Sequence, residues 1–78
     1  MTGEAFRAEL RKHPFRPFLV KTADGDTFRV DHPDFAMVSP RATEVIIYEK
    51  DNHYRVLGMN LIVSLEPIRN GSKKPGKR

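Results

Sequence analysis

Two groups of side chains in this sequence have the types that chemistry needs. Asp31-His32-Pro33-Asp34 sets two carboxylates around an imidazole, a donor set for a divalent cation if His53 or Asp51 came close. Tyr48, Tyr54, Arg29, Arg55 and Lys21 mix ring faces with cations, the combination that lets bases stack beside phosphate contacts. Each group also has a plainer reading. In the first, Asp34 caps the turn after Pro33, His32 is partly exposed and Asp31 faces solvent from a strand, so no metal site is expected. In the second, a strand tyrosine more often edges a core with its hydroxyl in water, and Glu44, Glu49 and Asp51 dilute the positive field.

Nothing else in the inventory suggests catalysis. Ser39, Ser64 and Ser72 lie in no nucleophile elbow, cysteine is absent, and no histidine has a partner at a recognisable spacing. Ala23-Asp24-Gly25-Asp26 is no phosphate loop, because a hairpin supplies neither a helix N-terminus nor the required lysine. The expectation is a protein that is not an enzyme and binds no cofactor.

The elements that must position these residues are short. Thr2 is a candidate N-cap, Glu4 suits the first turn, and Phe6 and Leu10 lie one turn apart on an amphipathic helix. Pro14 should stop that helix at about Lys12. In His13-Pro14-Phe15-Arg16-Pro17-Phe18 both prolines exclude helix, and the two phenylalanines offer apolar surface to a sheet edge. Strands are predicted at 19–22 and 27–31, joined by a hairpin in which Gly25 takes positive φ. Pro33 interrupts the pattern with a bulge or a one-turn excursion, after which Ala36-Met37-Val38 resumes a strand. Thr43–Glu49, apolar on both faces at its centre, should be a central strand. Two more strands, 53–57 and 60–65, join at Gly58, and Glu66-Pro67 ends the last.

Seventy-eight residues suffice for one domain with little stability to spare. The formal charge is +4, but residues 69–78 carry five cations and no acid, whereas 1–68 has nine cations against ten acids. The division expected is a domain over 1–68 and a disordered basic tail over 69–78, which has no apolar surface to offset its ordering entropy. The absence of cysteine fits a reducing compartment. No apolar run approaches the roughly 20 residues of a membrane span, and the N-terminus lacks signal-peptide features, so the expectation is a cytoplasmic protein without membrane contact. The fold class expected is α+β, mostly β: an N-terminal helix followed by a curled five-stranded antiparallel sheet or small open barrel of Sm/SH3-like type.

His13-Pro14-Phe15-Arg16-Pro17-Phe18, Ala23-Asp24-Gly25, Phe28-Arg29-Val30, His32-Pro33-Asp34-Phe35 and Leu61-Ile62-Val63-Ser64-Leu65-Glu66 resemble a family of short bacterial proteins of unassigned function, across about residues 5–66. That likeness implies no activity. The order of helix, strand, Asp24-Gly25 turn, strand, long hairpin and short last strand also resembles the bacterial Sm-like RNA chaperones, with 53–56 through 65–67 similar to their last two strands. This resemblance implies a barrel that assembles into a ring through strand edges. Leu57-Gly58 stands where that family has the Lys-His pair of its RNA site, and Val30 lacks its glycine bend, so the RNA pocket does not carry over.

Two functions are therefore expected in order. The first is a non-catalytic interaction module that pairs with itself or a protein partner through a sheet edge such as Met37–Val38 or Leu61–Val63. The second is Sm-like RNA binding through Arg29, Tyr48, Tyr54 and Arg55, assisted by Lys73, Lys74, Lys77 and Arg78 of the tail.

Overall fold

A computed structural model describes residues 1–68; the basic segment 69–78, with Lys73, Lys74, Lys77 and Arg78, lies outside the described residues. Helix α1 (Gly3–Leu10) begins where the sequence predicts, with the Thr2 hydroxyl oxygen accepting from the Ala5 N–H at 3.1 Å. It ends at Leu10, two residues before the expected Lys12, with Arg11 as its C-cap. A helix of this length does not persist alone in water. It is held because Phe6 is fully buried, edge-on to Phe18 at 5.7 Å between ring centroids, and because Gly3 lies directly against Ala42, where a Cβ would collide.

Six strands follow, not five: β1 (Phe18–Thr22), β2 (Thr27–Val30), β3 (Ala36–Val38), β4 (Glu44–Tyr48), β5 (Tyr54–Gly58) and β6 (Ile62–Pro67). They form two antiparallel three-stranded sheets, ordered β2-β1-β6 and β3-β4-β5, in place of the single curled sheet expected. The cause is Pro33. With no N–H for a ladder, it opens a one-turn 3-10 helix, Pro33–Phe35, that separates β2 from β3 and sends them to different partners. A second such turn, Met59–Leu61, delays β6 to Ile62, and the Leu61 carbonyl accepts from the Ala23 N–H at 2.8 Å. A bulge at Val63 then shifts the register with β1 between Lys21 and Thr22.

Alternation along the strands builds one core from both sheets. Phe18 and Val20 of β1, Phe28 and Val30 of β2, Val45 and Ile47 of β4, and Ile62 of β6 point inward, joined by Phe6, Ala36 and Met59. Phe15 and Leu10 close its margin, the packing role that the proline-rich connector suggested. As expected from its apolar centre, β4 is the middle strand of its sheet.

The β1–β2 hairpin turns on Gly25 at φ 94°, and its one buried hydroxyl is satisfied locally. Thr22 Oγ1 donates to the Asp24 carboxylate and accepts from the Asp26 N–H at 3.2 Å. The Thr22 hydroxyl, together with the backbone N–H groups of Asp26 and Asp24, holds the Asp24 carboxyl below its ordinary value despite some desolvation.

Two outcomes follow from this packing. Phe6→Ala should cost about 3–5 kcal/mol, a large part of the roughly 5–15 kcal/mol that holds a small domain; urea unfolding followed by circular dichroism measures it. Because the folded-state pKa of Asp24 is depressed, its contribution is present above the unfolded value and fades as pH falls through the folded one. Asp24→Asn should therefore lower the urea midpoint at neutral pH and flatten its fall on the acid side.

Candidate functional site

The two sheets share a core but present unlike outer faces. On the sheet β2-β1-β6 the outward residues are Thr27, Arg29, Lys21, Ser64 and Glu66 around a half-buried Leu19, with Lys21 and Glu66 paired at 3.3 Å. On the sheet β3-β4-β5 a continuous row, Met37–Ile46–Val56, crosses all three strands in register, and Tyr48 sits opposite Tyr54 in the next row. The two tyrosine rings lie 5.7 Å apart. Met37, Tyr48, Tyr54 and Val56 are 42–59 % exposed, as large apolar residues on a single-domain surface rarely are side by side.

The edges differ as much as the faces. Glu49 N–H donates to the His53 carbonyl at 2.7 Å and Met59 N–H to the Thr43 carbonyl at 2.8 Å, which fixes those two pairs as hydrogen-bonded. Antiparallel pairs alternate, so Arg55 and Leu57 bond to β4 while Tyr54, Val56 and Gly58 turn their N–H and C=O outward. By the same logic β6 offers Leu65 and Pro67 outward, since Ile68 N–H donates to the Pro17 carbonyl at 3.4 Å. Pro67 has no N–H, and with the Val63 bulge it blunts that edge. The outward residues of β3 are Ala36 and Val38, and α1 lies alongside, with Arg7 Nη2 donating to the Ser39 carbonyl at 2.9 Å. The fourth edge, β2, spans only four residues. Strand β5 is thus the one long edge among the described residues with neither proline nor helix against it.

Of the two edges named from sequence, Met37–Val38 is an edge strand lined by α1, and Leu61–Val63 falls across a helical turn and a bulge. The β5 edge was missed. Its signal lay in Tyr54 and Val56, two apolar residues two apart on a strand with a turn at each end, but nothing local says which neighbour a strand lacks.

The predicted nucleic-acid residues are partly brought together. Tyr48 and Tyr54 form an exposed ring pair, whereas Arg55 points to the opposite side of β5, its guanidinium 5.6 Å above the Phe28 ring and its Nε 3.7 Å from Glu49. Arg29 lies on the other sheet and pairs with Asp31 at 2.6 Å. The candidate metal group, Asp31-His32-Pro33-Asp34, is also dispersed: Asp31 holds Arg29, and the His32 ring packs against Phe35 at 5.2 Å. No side-chain hydrogen bond caps the turn that follows. Among the described residues no three His, Asp or Glu side chains converge as a metal site.

An open cleft of roughly 630 Å³ lies at the Tyr48 end of the apolar face. Phe28, Phe35 and Tyr48 wall it, and Asp31, Asp34, Glu49 and Asp51 outnumber Arg29 and Lys50 around its rim. Asp31 is paired with Arg29 and Glu49 with Arg55, so Asp34 and Asp51 against Lys50 leave the rim slightly acidic. No described helix is long and apolar enough to cross a membrane. Comparisons with protein-family models, curated proteins and solved structures give no match to this chain.

Proposed function

We propose that this protein is a non-catalytic interaction module that accepts an extended strand, from a second copy or a protein partner, along β5. The observation that carries this reading is the outward set of N–H and C=O groups at Tyr54, Val56 and Gly58. Unpaired main-chain groups in a row are a template for strand addition, and Tyr54 and Val56 beside them supply the apolar contact that such pairing uses. If β2 and β3 are taken as one strand broken at Pro33, the order β6-β1-β2/β3-β4-β5 supports a resemblance to the small Sm-like barrel, for which assembly through strand edges is the same kind of contact.

Val56→Pro tests the edge. It removes an outward N–H without touching the β4–β5 ladder, and proline is tolerated at such positions. A concentration-dependent rise in solution mass, lost in Val56→Pro with an unchanged circular dichroism spectrum, is the expected outcome for self-pairing. A constant monomer mass for the wild type, with no slowing of amide exchange at residues 54–58 when partner peptides are added, refutes the module.

The Tyr48–Tyr54 ring pair favours a second reading, RNA binding by stacking. Two sets of side chains are separable here, because the cations of 69–78 can be removed. Binding to single-stranded RNA that falls steeply with salt and vanishes in a chain ending at residue 68 would assign it to the tail alone. Retention on truncation, with loss in Tyr54→Ala, would assign it to the rings.

A further inference from the structure

The apolar face of the sheet β3-β4-β5 is a different surface from the β5 edge, and it is uncovered. With full areas of roughly 150–250 Å² for large side chains, the exposed fractions along Met37, Tyr48, Tyr54 and Val56 leave on the order of 500 Å² including Phe35 beside them. Stacking two such faces removes at most about 1,000 Å², the lower bound for a specific interface. That magnitude suits a weak, concentration-dependent contact between identical faces.

Charge selects the occupant and the orientation. At one end of the face, the β3–β4 turn presents Arg41, and β4 presents Glu44 on the same outer face, both exposed and without an ion-pair partner among the described residues. At the other end is the cleft, rimmed by Asp34, Asp51 and Lys50, which also lack one among the described residues. Two copies can stack face to face in two symmetric ways. With the two-fold axis parallel to β4, like ends meet and the acids of one copy oppose the same acids of the other. With the axis across the strands, opposite ends meet, and Arg41 of each copy reaches the partner's acid-rimmed cleft. The second arrangement pairs apolar row with apolar row and, at both ends, sets Arg41 against Asp34 and Asp51 and Glu44 against Lys50.

We propose that a second copy of this chain covers the face in this antiparallel orientation, with Arg41 of each copy seated at the Asp34–Asp51 end of the other. The contact goes beyond strand addition at β5 and does not need it. Its test is sedimentation equilibrium of the full chain over a wide concentration range. Met37→Glu, at an exposed position away from β5, should raise the dissociation constant about tenfold or more. Arg41→Glu and Asp34→Arg should each weaken association about fivefold, and the double variant should return it to within about twofold of wild type. Tyr48→Glu, on the central strand β4 and away from the β5 edge, repeats the face test should Met37→Glu alter the circular dichroism spectrum.

Two outcomes overturn the proposal: association unchanged by Met37→Glu and Tyr48→Glu, or a double variant no tighter than either single. The β5 reading fails separately. Val56→Pro keeps the face apolar, so association lost there yet kept in Met37→Glu leaves the edge alone standing. The converse pattern supports the face and removes the edge.

Discussion

Helix α1, anchored by the buried Phe6, is the element on which both sheets close. Neither sheet can bury its inner face alone at three strands, and the described chain offers one helix to fill the opening between them. Burial of Phe6 against Phe18 ties that helix to β1, while Gly3 against Ala42 and Arg7 on the Ser39 carbonyl tie it to the turn after β3. The helix thus links the two sheets through contacts that neither sheet makes for itself. The Thr2 cap and the cation at the C-terminal end, by contrast, contribute only the small terms that let so short a helix form once it is docked.

What the sequence made legible was local. The N-cap, the Gly25 hairpin, the excursion at Pro33 and the central place of β4 all follow from one or two residues acting on their own backbone. What it hid was pairing. Pro33 reads as an interruption, but whether the strands on either side rejoin one sheet depends on which partners reach them, and β1 and β4 lie far apart in the chain. The start of β6 was hidden in the same way, because the Leu61 carbonyl is taken by Ala23 across the sheet.

The candidate site suffered most from this. Tyr54 and Arg55 are neighbours in sequence, and a patch reading joins them; on a strand they point to opposite sides, and only the register with β4 says which side is wet. The same register brings Met37, Ile46 and Val56 into one row from three separate segments, a surface no window of sequence contains. Asp31 and Arg29, which looked like parts of two different sites, satisfy each other.

Pro67 gives this asymmetry of edges a further meaning. A domain with receptive margins at both ends of its strand order can add neighbours without limit, and growth of that kind ends in fibres. Here one margin lacks a donor at Pro67 and is kinked at Val63. A bare strand on one sheet and a silenced one on the other leave a single long margin open, so growth through edges alone stops after one neighbour.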